Sequence, residues 1–186
     1  MASQVEICNR ALIRLGADTI TDITENTKEA RLCNVIYDSV RRDLLRSHPW
    51  NFAMKRANLA SSTTDPEFQY MYAYTLPADC LRVWDVYFTT FPYKIEGRTL
   101  VTDDNACYLI YISDEDDTEI FDSAFTSLLS IKLAMEMCYN ITGQSTMVSV
   151  LQDEFNRIKR EAKQFDGQEG SPAYWDDTGS WLDSRD

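Results

Sequence analysis

The stretch ACYLIYISDEDDTEIFDSAFTSLLSI, residues 106–131, contains the change of pattern that decides the fold. Residues 107–112 are apolar on both faces, which predicts a central strand that is covered on both sides of its sheet. An acidic run at 113–119 follows. Apolar side chains then recur every three or four positions, which predicts a helix over about 118–140. The chain therefore passes here from a β-rich region into a helical one.

The region before this change, residues 50–112, has the composition of a β subdomain. It is rich in Tyr, Phe, Trp, Thr and Val, and prolines separate its segments. Glu96-Gly97 fits a tight hairpin turn, and residues 103–105 fit a second turn. Strands are predicted near residues 50–59, 69–76, 80–89, 92–96, 98–102 and 106–112.

Helical periodicity appears on both sides of the β subdomain. The first helix begins with a capping-box pattern, Ser3 followed by Glu6, and Gly16 is a natural stop signal. A second helix spans about 28–47 and ends before Pro49, because the residue before a proline avoids helical angles. After the helix at 118–140, a fourth apolar stripe ends before Gly167.

These patterns predict an α+β fold, in which two N-terminal and two C-terminal helices form a four-helix bundle with an inserted antiparallel β subdomain. The bundle comprises residues 1–49 and 113–166, and the β subdomain comprises residues 50–112. Residues 167–186 contain Gly, Ser, Pro, Asp and large aromatics without a clear period, which predicts an extended C-terminal arm.

The charge of the chain limits its partners. Its 186 residues carry a net charge of −12, which argues against a general nucleic-acid binder and against binding to an anionic membrane surface. Residues 1–56 contain 9 basic and 7 acidic side chains, whereas residues 57–186 contain 9 basic and 23 acidic. Such asymmetry is typical of different surfaces for different partners, or of a solvated acidic surface.

No pattern for a metal ion, a cofactor or a membrane segment is present. The five cysteines are spaced singly, without a C-x-x-C pair, and are interpreted as reduced, buried thiols of a protein made in a cytoplasm. No apolar run reaches the length of a membrane span. The acidic run lacks the glycine and glutamate positions of a calcium loop, so we interpret it as the first turn of the helix near Thr118.

A catalytic site is weakly supported by the sequence. His48 is the only histidine, and a small hydrolase that uses Cys33 or Cys80 with His48 is one hypothesis. The favoured interpretation is a histidine at a helix C-terminus, where the helix dipole stabilises its charged form. The sequence therefore predicts no catalytic residues.

Two groups of residues are predicted to contact other chains. Arg41, Arg42 and Arg46 give the second helix a basic face, which we interpret as solvated or as an intersubunit salt-bridging face. The arm carries large apolar side chains in a segment with no core of its own. We predict that Tyr174, Trp175, Trp181 and Leu182 dock either on their own bundle or on a neighbouring protein, as anchors of the contact.

Several motifs occur in an order and spacing that resemble one known family, over about residues 3–165. They are ICNRALIRLG at 7–16, HPWNFA at 48–53, YTLPADCLRV at 74–83, YKIEGRTL at 93–100, and YI at 111–112 followed by acids and FDSAF at 121–125. Together they resemble tail tubular protein A, the head-to-tail adaptor of short-tailed, T7-like bacteriophages. The segment beyond residue 167 has no counterpart in this resemblance.

The resemblance implies a structural protein of the virion, without catalysis, that is made in the cytoplasm of the host bacterium. Members of the family form a ring, typically a dodecamer, between the portal protein and the tail nozzle protein, and tail fibres can attach nearby. DNA passes through the ring without sequence-specific binding. We expect the acidic later part of the chain to line such a lumen, where it would repel the DNA phosphates.

Other functions fit parts of the same pattern. A head-completion or neck protein of another tailed phage would use the same docking logic. An acidic interaction protein that mimics nucleic acid would fit the charge, and the Cys/His hydrolase would fit the single histidine. These hypotheses stay open at the level of the sequence.

Overall fold

The protein has an α+β fold in the computed structural model, which describes residues 2–64, 66–87 and 90–168. Helices and two small antiparallel sheets follow one another in the predicted order. The helices are α1 (Gln4–Arg14), α2 (Lys28–Arg46), α3 (Ser123–Thr142) and α4 (Thr146–Gln168). The strands are β1 (Met54–Leu59), β2 (Tyr72–Thr75), β3 (Cys80–Tyr87), β4 (Tyr93–Glu96), β5 (Thr99–Thr102) and β6 (Cys107–Ser113).

The predicted capping box and glycine stop signal of α1 are confirmed, and α2 ends before Pro49 as predicted. The Ser3 hydroxyl accepts a hydrogen bond from the Glu6 amide at 3.2 Å, and the Ser3 amide donates to the Glu6 carboxylate at 3.1 Å. Thr27 caps α2 through the amide of Ala30. Gly16 has a φ of 67°, a left-handed conformation that ends the helix and favours glycine.

The predicted start of α3 is wrong, because the helix begins at Ser123 and not near Thr118. Asp122 is the N-cap, and its carboxylate accepts a hydrogen bond from the Ala124 amide at 2.6 Å. The acidic run therefore precedes α3 instead of forming its first turn. Phe121 lies just before the cap and packs against Phe125, so it belongs to the hydrophobic core without being helical.

Helix α3 lies at the centre of the helical unit and contacts α1, α2 and α4. It runs antiparallel to α2, because Lys28 at the start of α2 donates to the carbonyl of Asn140 near the end of α3. Lys132 and Asp43 form an ion pair at 3.7 Å further along the same two helices. The side chains of α3 are buried on most sides, as expected for a helix that is apolar all round.

Strand β6 is the central strand of the first sheet, whose order is β1-β6-β3. This confirms its predicted central position, but the predicted cover on both faces is wrong. Ile112 lies in the helical core, whereas Tyr108, on the same face, is 42% exposed. The helices cover only the part of this face that is nearest to α2 and α3.

The second sheet has the order β2-β5-β4 and shares a second core with the first sheet. Tyr74 and Leu100 from the second sheet are buried there with Leu109 from the first. Gly97 forms the predicted hairpin turn between β4 and β5, with a φ of 62°. Both cores meet at β6, which contributes Leu109 to one and Ile112 to the other.

Candidate functional site

A buried ion pair connects the helical unit to the end of β6. Arg41 of α2 is only 2% exposed, and its Nη1 lies 2.8 Å from Oδ1 of Asp114. Arg42 contacts the other carboxylate oxygen of Asp114 at 2.8 Å. Arg41 also donates to the carbonyl of Glu115. One carboxylate thus holds two arginines of the same helix next to each other, although their charges repel.

A second set of polar contacts ties β1 to the same place. Nζ of Lys55 lies 3.2 Å from Asp79 and 3.4 Å from Glu115. Slight burial opposes the charged form of Lys55, but the hydrogen bond to Asp79 and the charges of both acids outweigh it and raise its pKa. The Tyr111 hydroxyl donates to Asp79 at 3.1 Å. We call Arg41, Arg42, Lys55, Asp79, Asp114 and Glu115 the junction cluster.

Arg46, at the end of α2, contacts the first sheet instead of the junction cluster. Its guanidinium donates to the carbonyl of Leu81, and Arg82 donates back to the carbonyl of Arg46 at 3.3 Å. Arg41 is buried and so is not part of an exposed basic face, which corrects its predicted position. Its ion pair with Asp114 offsets the cost of removing the guanidinium charge from water. Arg42 and Arg46 are exposed, and their contact with another subunit stays a prediction.

The acidic run has two structural roles. Asp114 and Glu115 are partly buried and paired with basic residues of the junction cluster. Asp116, Asp117 and Glu119 are exposed, so they contribute negative charge to the surface. The sequence did not reveal this division, because it depends on arginines that lie more than seventy positions earlier in the chain.

The structure separates Cys33 from His48. Cys33 is buried among the helices, with its Sγ 3.6 Å from Sδ of Met137. It lies thirteen residues before the end of α2, or ~20 Å along the helix axis at ~1.5 Å per residue, whereas His48 follows that end. His48 packs edge-to-face on Trp50, with 4.8 Å between the ring centroids. These two side chains cannot act as a nucleophile and its base.

Cys80 is the other cysteine of the hydrolase hypothesis. It lies at the start of β3 and is buried in the second core. Burial raises the pKa of its thiol, which disfavours the thiolate that a nucleophilic cysteine requires. Its environment is therefore that of a structural thiol.

The sequence analysis missed an exposed aromatic face on the first sheet. Arg56 of β1, Ile110 of β6 and Asp85 of β3 are in register, as are Asn58, Tyr108 and Tyr87. They line one face of the sheet beyond the helices, and Trp84 lies beside them on β3. We call these residues and Arg82 the open sheet face. Alternation along β6 could have indicated it, but Tyr108 and Ile110 are as apolar as the buried residues between them.

Exposed apolar side chains also occur away from the open sheet face. One set lies on the second sheet and the loop before it, and we call it the β-tip set: Phe68, Met71, Tyr93 and Ile95. Another set lies on the helices, and we call it the helical set: Ile13, Val35, Tyr139 and Val150. The two sets therefore lie on different parts of the fold.

The predicted docking residues of the arm, Tyr174, Trp175, Trp181 and Leu182, lie outside the described residues. Among the helices that the structure describes, none is long and apolar enough to cross a membrane. Within the same residues, no group of three or more His, Cys, Asp and Glu side chains is placed to hold a metal ion. No protein-family model matches this chain, and no curated protein matches it.

Proposed function

We propose that this protein is a structural head-to-tail adaptor of a short-tailed bacteriophage, which forms a ring between the portal protein and the tail nozzle protein. The resemblance of its motifs to tail tubular protein A is the first support for this proposal. The second is the fold, in which a helical unit and a β subdomain meet at a polar junction. In this proposal the helices form a four-helix bundle into which the β subdomain is inserted.

The observation that carries the proposal is the presence of two separate sets of exposed apolar side chains. A ring is built from head-to-tail contacts, in which one surface of a subunit binds a different surface of the next. We propose that the β-tip set, on the second sheet and the loop before it, and the helical set supply two such surfaces; the side chains of both sets are exposed. We propose that the β-tip set of one subunit packs against the helical set of its neighbour.

The charge distribution is the electrostatic part of the proposal. Asp116, Asp117 and Glu119 are exposed, whereas the neighbouring acids are neutralised in the junction cluster. We propose that these three side chains face the lumen of the ring, where they would repel DNA phosphates and let the DNA slide. A ring whose lumen is lined by neutral or basic residues would contradict this part.

Native mass spectrometry of the chain, alone and mixed with the portal protein of the same genome, tests the proposal. Multiple copies bound to one portal oligomer are expected. Phe68 is 79% exposed, and Phe68→Asp should remove a contact of ~1.5–3 kcal/mol at every subunit boundary and so prevent ring closure. Gln152→Asp, an exposed polar position on α4, is the matched control and should assemble normally.

The result also separates the adaptor from the other classes. A chain that binds no portal but binds a cellular protein would favour the interaction protein that mimics nucleic acid. Binding to a connector of a long-tailed phage would favour the neck protein. Either outcome would contradict the adaptor proposal.

A further inference from the structure

The open sheet face continues the face that carries the helical core. On β6, Ile112 is buried against the helices, and Ile110 and Tyr108 follow on the same face at two-residue spacing. On β1, Met54 packs against the helical core and Arg56 and Asn58 follow it in the same way. The face therefore begins where the helices α2 and α3 meet the sheet and extends away from them.

This face has the shape and chemistry of a binding surface for aromatic side chains. Arg56, Asn58, Tyr87, Tyr108 and Ile110 line a groove of about 430 Å³. Tyr87 and Tyr108 are 52% and 42% exposed at its rim. Such a volume is in the range of ligand pockets, ~300–1,000 Å³, so it accommodates an indole or a phenol ring.

The charge on the open sheet face favours an acidic ligand. Arg56 is exposed beside the groove, and the guanidinium of Arg82 lies 5.6 Å from the ring centroid of Trp84. Asp85 is the acid on this face, and its carboxylate accepts a hydrogen bond from the amide of Val86. The open sheet face therefore carries two guanidinium groups and one carboxylate, and that carboxylate already accepts a hydrogen bond.

The end of α4 lies close to this face. Helix α4 follows α3 after a three-residue turn and packs along it, so the two helices run antiparallel. Counting equal distances back from this turn places the last turn of α4 beside Ser123. Ser123 begins α3 two residues before Phe125, which packs on Phe52 just ahead of β1. The chain beyond residue 168 thus starts at the end of the helical unit that meets the first sheet.

The composition of that chain complements the open sheet face. Residues 169–186 contain five acids and one base, and they include Tyr174, Trp175, Trp181 and Leu182. Trp175 follows Gln168 by seven residues, a reach of up to ~25 Å in extended chain. Both the aromatic side chains and the negative charge therefore come within reach of the groove and of Arg56.

We propose that the segment 169–186 binds the open sheet face of its own chain, with an aromatic side chain in the groove and its carboxylates next to Arg56 and Arg82. A contact within one chain is favoured over exchange between copies, because the short connection gives a high effective concentration. This inference is independent of the adaptor proposal. In an adaptor, the portal would compete with the open sheet face for this segment.

Photo-crosslinking of the full chain tests this contact. Trp175→benzoylphenylalanine places a photoreactive group in the segment, and the cross-linked peptides are mapped by mass spectrometry after irradiation at micromolar concentration. Cross-links to peptides that contain Arg56, Tyr87 or Tyr108, in the monomer fraction, are expected. The double substitution Arg56→Glu and Tyr108→Ala should lower their yield by ~tenfold, the effect of losing ~1.4 kcal/mol of binding.

Asn34→Ala, at an exposed polar site on α2 outside the helical set, is the control and should leave the yield unchanged. Hydroxyl-radical footprinting of Trp84 and Tyr108 is a second measurement on a chain without the photoreactive residue, and Trp175→Ser with Trp181→Ser should increase their oxidation. Cross-links to the helical set, cross-links between two copies, or a yield that is insensitive to the double substitution would overturn the proposal.

Discussion

Arg41 is the residue whose role changes most between sequence and structure. On the sequence it is one of three arginines with helical spacing, whereas in the fold its guanidinium is buried and paired with Asp114 and the carbonyl of Glu115. A buried charge needs such partners because its desolvation is expensive. The pair therefore ties the segment after β6 to α2.

Asp114→Asn should destabilise the protein strongly, because it leaves the Arg41 charge buried without its anion. We expect the free energy of unfolding to fall by at least ~2 kcal/mol. The loss should stay below the ~3–5 kcal/mol of a fully buried pair, because Asp114 is partly exposed. Asp38→Asn is the control, since Asp38 contacts Arg41 at 3.6 Å but its side chain is 69% exposed, and it should cost less than ~1 kcal/mol. Equal effects in urea unfolding would contradict this role of Asp114.

The buried thiols make stability depend on alkaline pH. Burial raises the pKa of Cys107 to about 11, and a hydrogen bond to Cys33, with burial, raises the pKa of Cys8. Unfolded cysteines lose their protons near pH ~8.5. For Cys107 the folded state holds more protons between these values, so its contribution to stability is complete below pH ~8.5 and falls above it by ~1.4 kcal/mol per pH unit. The hydrogen bond to Cys8 lowers the pKa of Cys33 and so opposes the effect at Cys8.

Cys107→Ala tests this assignment. The variant lacks one titrating thiol, so its free energy of unfolding should fall less steeply between pH 8.5 and 10 than that of the natural protein, whatever its stability at pH 7. Denaturant unfolding at a series of pH values gives this slope. An unchanged slope would show that Cys107 titrates normally in the folded protein.

The start of α3 is the element that the sequence described least well. Apolar periodicity predicted the body of the helix correctly, because it reflects burial along one element. The start depends on where Phe121 packs and on the partners of Asp114 and Glu115, which lie elsewhere in the chain. The sequence around the start of α3 does not indicate those partners.

Asp122→Ala should destabilise α3 by ~1 kcal/mol through the loss of its N-cap. Asp116→Ala removes an exposed acid of the preceding run and should change the free energy of unfolding by less than ~0.5 kcal/mol. Thermal or urea unfolding of both variants measures the difference. A larger effect at Asp116 would indicate that the helix begins earlier than Ser123.

Other elements show the same division between local and distant causes. The capping box of α1, the end of α2 before Pro49 and the Gly97 turn follow from short sequence patterns, and all are present. The junction cluster and the open sheet face depend on which parts of a strand the helices cover. The sequence pattern predicted the central position of β6 in its sheet. It did not predict that the helices stop covering one face of this strand before Tyr108.

The arrangement of the helices determines the place from which the predicted arm leaves the helical unit. Because α4 returns toward the start of α3, the chain leaves the helical unit at the end that carries the sheets. Deleting residues 167–186 should leave a folded monomer that no longer joins the portal. Circular dichroism checks the fold, and sedimentation with portal checks the binding. Normal binding by the shortened chain would contradict a portal-docking arm.

The central claim is that this chain forms a ring on a portal, and electron microscopy tests it most directly. The natural chain is mixed with the portal protein of the same genome and imaged in negative stain, with portal alone as the reference. We predict an added ring of density on one end of the portal, with a central opening along its axis. Portal particles identical to the reference, at saturating concentrations of the chain, would contradict the account.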